Sequence, residues 1–245
     1  MRSTNIITIA KIYAKWFFRR PLTYMFITIF MPLSVITPLL LISSKIDWPR
    51  IIIGSILFSV IGGGIADITV NVSFDKHMRR IVFLTTRPVK SMEYMIGIIL
   101  GGASYTFFSA GIILAVGDAI LHFRFTVLQL FLLGLIILLA WFISSNIGFI
   151  ISLYGPRDFR LAGTLSDFML FSITFIAPVY YSIQILPKYL QTASQFLYTT
   201  DLALLANSVV RTSSLPNPIF DIMFPLIFGL ILFIVSGRRI RWTKA

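Results

Sequence analysis

Six stretches of this chain, at residues 23–44, 51–73, 95–117, 127–151, 163–183 and 219–237, run for about twenty residues each with hardly a charged side chain among them. A bilayer core about 30 Å thick asks that length of a helix. In lipid every backbone N–H and C=O must be satisfied inside the segment, so each run has one stable spanning form, the transmembrane α-helix. The composition leaves little else to build: 57% of residues are hydrophobic, 12% are charged and the mean hydropathy is +0.90, against about 25% charged in soluble domains. We therefore expect an all-α integral membrane protein with six transmembrane helices. Residues 1–245 form a single membrane domain, because no stretch is charged enough to fold in water. The lack of cysteine excludes disulfides, thiol chemistry and Cys-ligated metals, and two histidines offer no metal constellation.

The net charge of +12 raises the question of nucleic acid, but the basic residues follow the membrane instead. With the N-terminus in the cytoplasm, the inner side collects Arg2, Lys11, Lys15, Arg19, Arg20, Lys76, Arg79, Arg80, Arg87, Lys90, Arg157, Arg160, Arg238, Arg239, Arg241 and Lys244. Those are sixteen of the 21 Lys and Arg, and the outer side keeps Lys45, Arg50, Arg124, Lys188 and Arg211. This asymmetry predicts a multi-pass protein of the plasma membrane with both termini cytoplasmic, contacting membrane lipid and no nucleic acid. No signal-peptide pattern with a small-residue cleavage site precedes the first span, which is expected to be retained. Residues 189–210 are also long enough to span, but they carry Gln191, Gln195, Asp201 and Asn207. A central Asp costs about 2.5–3.5 kcal/mol on insertion scales, so this region, 184–215, reads as an external re-entrant hairpin of short amphipathic helices.

Residues 1–20 have another pattern. Lys11, Lys15 and Arg19 recur every four residues while Ile6, Ile9, Tyr13 and Trp16 take another face, and Pro21 stops the repeat. That is an interfacial amphipathic helix, either an anchor on anionic lipid or a lever along the cytoplasmic surface. The stretch 74–90, "FDKHMRRIVFLTTRPVK", falls in the first cytoplasmic loop. There Met78, Ile81 and Leu84 are spaced three apart on one side of a short helix that Pro88 ends. Such a stripe suits docking into a groove of another protein, or resting on headgroups or on the chain's own helices.

Several chemistries find no support. A phosphate-binding loop would need Gly, four residues, then Gly-Lys and Ser or Thr, and none is present; "IGGGIAD" lacks the lysine and lies within the second span, so its glycines read as close helix packing, as do Gly97 and Gly101. A membrane-embedded enzyme would need a nucleophile and base, and nothing converges with His77 or His122. An ion-coupled secondary transporter is the alternative to weigh, since such carriers hold ionisable groups near the midplane. The spans contain Asp67 and Asp167, which residue counting puts toward the cytoplasmic ends; each either pairs with Arg157 or Arg160 or serves an inner gate. Pro32 and Pro38 remove hydrogen bonds from the first span, giving a static kink or a bent wall of a pathway.

The segment "MRRIVFLTTRPVKSMEYMIG" resembles the link between the second and third spans in permease subunits of the ABC-2 (type V) exporter family. There a short coupling helix ends in a Thr-Pro-Val-like turn before a Glu and a Gly-containing span, and Pro88, Val89, Lys90, Glu93 and Gly97 stand at those positions. The likeness extends over nearly the whole chain, through "FIAPVYYSIQILPKYLQ" and its Leu-Pro before the hairpin. It departs in having Arg79 and Arg80 where acidic residues often enter the coupling helix, and Thr199-Thr200 where the hairpin usually has Asn-Pro. The resemblance implies a non-catalytic permease subunit that dimerises with a second copy. It also implies energy from two copies of a separate ATP-binding subunit, on which ATP and Mg are expected, with no cofactor bound by this chain. The ATPase contact would fall on Met78, Arg79, Arg80, Ile81, Leu84 and Arg87. Pathway or gate candidates are Asp67, Asp167, Tyr24, Pro32, Tyr180 and Tyr181. Spans 1 and 5 would line a largely uncharged path for a hydrophobic, amphiphilic or lipid-linked cargo.

Overall fold

A computed structural model of the chain describes residues 3–19, 30–44, 47–78, 80, 89–121, 125–156, 158–211 and 218–238. Among these residues there is no strand. The helices are α1 (Ser3–Arg19), α2 (Met31–Ile42), α3 (Trp48–Gly62), a π-helical turn (Gly63–Asp67), α4 (Ile68–His77), α5 (Ser91–Leu121) and α6 (Val127–Tyr154). They are followed by α7 (Phe159–Ile176), a single 3₁₀ turn (Ile183–Ile185), α8 (Lys188–Ser194), α9 (Tyr198–Arg211) and α10 (Pro218–Arg238).

Among the described residues five helices are long and apolar enough to cross a membrane: Trp48–His77, Ser91–Ala119, Val127–Tyr154, Phe159–Ile176 and Phe220–Gly237. Of the expected first span, 23–44, residues 23–29 lie outside the described residues, and the described part holds the twelve-residue α2. The expected second span, 51–73, is longer than its apolar run. The helix continues through Phe74, Asp75, Lys76 and His77, because the polar groups at its end find partners. Lys76 Nζ donates to Ser152 O at 2.5 Å, satisfying a carbonyl at the C-terminus of α6.

The span Trp48–His77 is the most enclosed of the five. Val60, Ile61, Ile65 and Ile68 along it are fully buried, whereas α7 and α10 keep Phe168, Phe175, Ile227 and Ile231 exposed, as suits helices against lipid or another chain. Its passage through the bundle depends on glycine. A Cβ on Gly64 would stand 2.4 Å from Ser144 Cβ, and one on Gly148 would stand 2.4 Å from Gly64 O. The two backbones therefore touch, at the π turn, and Thr69 Oγ1 lies 3.0 Å from Gly148 O across the same crossing. Small residues permit this approach, which supplies the dispersion contact that holds helices together in lipid.

The ends of the bundle can be told apart by contacts. At one end α1, the end of α4 and the start of α5 meet, Gly237 of α10 abuts Met92, and Phe159 of α7 packs on Phe74 and His77. At the other, Gln129 Nε2 of α6 donates to Val209 O of α9 at 3.1 Å. The hydroxyls of Ser144 and Tyr198 are 2.9 Å apart. Since Ser144 lies fifteen residues, about 22 Å, along α6 from Gln129, α9 begins deep beside α6 and runs antiparallel to it toward the end that holds Gln129.

We expect Gly148→Leu to abolish the crossing, at a cost of at least about 1–3 kcal/mol, and Gly134→Leu, where a Cβ meets nothing within 4 Å, to be tolerated. Monodisperse yield and thermal midpoint of the two purified variants measure the difference.

Candidate functional site

The polar residues that gather most densely do so where α1 lies against α5. Its helical period puts Ile6, Ile9 and Tyr13 on one side and leaves Lys11 and Lys15 exposed. The groove that receives the apolar side is made by glycine. A Cβ on Gly97 would meet Ile9 Cβ at 2.7 Å, and one on Gly101 would meet Tyr13 Cβ at 2.6 Å. The spacing of four places both glycines on one face, so α1 lies directly on the backbone of α5.

Docking brings Tyr13 to Asp75 at the end of α4. The carboxylate is 3% exposed, well below what an unpartnered ion tolerates. It accepts a hydrogen bond from the Tyr13 hydroxyl and another from Tyr94 Oη at 2.8 Å, and Arg80 Nη1 lies 3.5 Å from Oδ1. Arg80 in turn sits over the Phe74 ring, 5.4 Å from its centroid. Burial, with the Asp75 charge second, holds the Tyr13 phenol well above its usual range, so it remains a donor. The second carboxylate, Glu93, is 1% exposed and stands at the third position of α5. It accepts from the Lys90 backbone N–H at 3.2 Å, capping the helix, and from Asn5 Nδ2 of α1 at 2.8 Å. Two acids, one on each side of the segment 78–92, thus tie α1 to the ends of both helices that the segment joins.

Of the expected ATPase-contact residues, Met78 is half exposed at the end of α4 and Arg80 pairs with Asp75. Arg79, Ile81, Leu84 and Arg87 lie outside the described residues, as does Tyr24. Pro32 stands in the first turn of α2. Asp67 ends the π turn, with ten residues of helix beyond it, and Asp167 is in mid-α7, where it makes no ion pair among the described residues. Tyr180 is buried beside Gly54 and Phe58, and Tyr181 donates to Phe175 O, both at the far end of α7 from the acids. Sequence reasoning left Asp75 and Tyr94 unassigned and gave Tyr13 to an apolar face. The available signal was an acid, Asp75, amid basic residues, next to a run that otherwise ends the span. Among the described residues no three His, Asp or Glu side chains gather into a metal-binding group.

The model of one known family, described as ABC-2 type transporter, matches residues 4–202, from the first turn of α1 into α9. A comparison with curated proteins finds no match.

Removing one phenol should loosen α1 by about 1 kcal/mol, and Asp75→Ala, which strands two donors and Arg80, by about 3 kcal/mol or more. Amide hydrogen exchange over residues 3–19 should accelerate in Tyr13→Phe and more so in Asp75→Ala. Unchanged protection in both would refute the tether.

Proposed function

The chain belongs to the ABC-2 type transporter family, and we propose that it is the transmembrane permease subunit of an ATP-binding-cassette exporter. Residues 23–44 supply its first of six spans, and the segment 78–90 is the coupling element that touches a separate ATPase. The observation that carries this reading is the double tether of α1: Asp75 and Glu93 flank that segment and both hold the same surface helix. A push on the segment from below therefore displaces the ends of α4 and α5 together with α1, as one rigid base. Met78, Ile81 and Leu84 form the apolar contact, and Arg79, Arg80 and Arg87 its charged rim, where charges tune encounter and specificity more than affinity.

The base faces the cytoplasm of the plasma membrane, both termini with it, and the α8–α9 hairpin re-enters from outside. Two copies of the chain enclose the path, which is why α7 keeps a face of Leu161, Leu165, Phe168 and Phe175 exposed. Pro32 bends its wall in the first span, Tyr24 of that span with Tyr180 and Tyr181 beyond α7 contributes sparse polarity to it, and Asp67 and Asp167 stand toward its inner gate. An uncharged aromatic lining favours a hydrophobic, amphiphilic or lipid-linked cargo. ATP and Mg belong to the two partner subunits.

One observation favours the rival, an ion-coupled carrier. Asp67 lies ten residues from the end of α4, about 15 Å in from the base. Dependence of transport on ATP rather than on a sodium or proton gradient separates the two readings.

Ile81→Glu buries an unpartnered carboxylate at the docking surface, a penalty of several kcal/mol. We expect it to insert normally and to lose its co-purifying ATPase by tenfold or more; full coupled transport in this variant would reject the contact. Cysteines introduced at Lys90 and Thr192 of this cysteine-free chain should react with impermeant reagents from opposite sides of the membrane.

A further inference from the structure

Helix α1 has a second face that the tether does not use. Ile6, Ile9 and Tyr13 are turned onto α5, so the apolar side of this helix is taken by protein and does not enter lipid. At about 100° per residue the opposite side carries Thr4, Thr8, Lys11 and Lys15 in one stripe, all exposed, with Ile7 and Ile12 half exposed along its edges. The Thr8 hydroxyl donates to Thr4 O at 2.8 Å, which turns it back on the helix and leaves the two ammonium groups as the outward polar ends of the stripe. No acidic side chain of this copy answers them. All nine Asp and Glu residues of the chain are among the described residues, and neither Lys11 nor Lys15 pairs with any of them. The acids that α1 does touch, Asp75 and Glu93, are held on its other side by Tyr13 and Asn5.

Depth decides what can supply the missing counter-charge. Ile9 meets Gly97 and Tyr13 meets Gly101, four residues further along each helix, so α1 and α5 run side by side in the same direction. Lys11 is therefore level with Ile99 and Lys15 with Ala103, roughly 12 and 18 Å from the start of α5. Helix α5 has 31 residues, about 45 Å of length, whereas the hydrocarbon core is about 30 Å thick. Counting about twenty residues back from the exposed carboxylate of Asp118 puts the base-side edge of the hydrocarbon near Ile98. Lys11 stands at that edge, and Lys15 about 6 Å beyond it, within reach of its own apolar stem. Side chains lean toward the N-terminus of their helix, which for α1 is the base, so both stems point back to the edge. A soluble subunit meets the base and stops short of this depth. Lipid phosphate lies at it.

We propose that the face of α1 carrying Lys11 and Lys15 is a docking surface for anionic phospholipid headgroups, each ammonium taking a headgroup phosphate, and that this contact keeps the tether seated. The other side of the same helix holds Asp75 through Tyr13 and Glu93 through Asn5. Headgroups that press α1 onto α5 therefore steady the ends of α4 and α5 together, and the charge of the leaflet sets how firmly the segment 78–90 is framed. That this leaflet is the cytoplasmic one rests on the reading of the base as cytoplasmic.

The test uses the full chain in nanodiscs of phosphatidylcholine alone or of phosphatidylcholine with phosphatidylglycerol, and follows amide exchange over residues 3–19 and 72–77. Anionic lipid should slow exchange in α1 by about fivefold for each lysine engaged, and exchange at the end of α4 should slow with it. The response should vanish in the double variant Lys11→Gln/Lys15→Gln. It should persist in Lys11→Arg/Lys15→Arg, because a guanidinium also holds phosphate, and in Lys188→Gln, which removes an exposed cation of the hairpin. Equal exchange in the two lipids, a slowing that survives in the glutamine variant, or the same slowing produced by inorganic phosphate in phosphatidylcholine alone would overturn the docking surface. Slowing confined to residues 3–19 would reject its hold on the tether. The nanodisc contains no ATPase and offers both leaflets, so failure here leaves the exporter reading standing, and failure of ATP-driven transport leaves the headgroup contact standing.

Discussion

A carboxylate removed from water needs most of what the water supplied, and Asp75 is where this chain meets that demand. Its partners come from three separate parts of the sequence: Tyr13 from the surface helix, Tyr94 from the next span and Arg80 from the segment between. Because each is needed to make the buried charge tolerable, the acid fixes the position of elements that have few other reasons to meet. The long helix Trp48–His77 extends beyond its apolar run, α1 lies flat on α5, and Arg80 reaches Asp75 and the Phe74 ring at the end of α4.

The surface helix illustrates how polar and apolar constraints combine. Gly97 and Gly101 give α1 a seat of the right width, but a smooth apolar seat would let it slide along α5. Asn5 on Glu93 and Tyr13 on Asp75, eight residues apart on α1, fix its position at two points. The same division of labour recurs at the core crossing, where Gly64 and Gly148 bring the backbones together and the Thr69 hydroxyl sets their register.

What could be read from the sequence follows from the range of the physics. Span length is a one-dimensional property, so five spans appear close to where hydropathy puts them, and residues 189–210 form short helices, as the cost of Asp201 argues. The order of Pro88, Val89, Lys90, Glu93 and Gly97 led to the family whose model matches residues 4–202. The boundary at residue 73 was not legible, because what lets the helix run to His77 is Tyr13, Tyr94 and a carbonyl of Ser152, each distant in sequence. Glu93 was visible as a motif position, yet its attachment to Asn5 was not, since a capping acid and a tether look alike in one dimension.

The π turn at Gly63–Asp67 has a geometric consequence of its own. It takes one residue more than a regular turn, so all that follows is rotated by about 100° around the helix axis relative to an uninterrupted α-helix. The span accordingly has two phases. The span is enclosed on both sides of the turn: Ile51, Ile56, Leu57 and Ile61 are buried before it, and Ile68, Val72 and Asp75, which share a face at i, i+4 and i+7, are buried after it. A single helical phase would aim that carboxylate about a quarter-turn away from its present partners. The extra residue thus works as an angular offset between two halves of one rod, letting a membrane-spanning helix end in a polar joint without changing its direction.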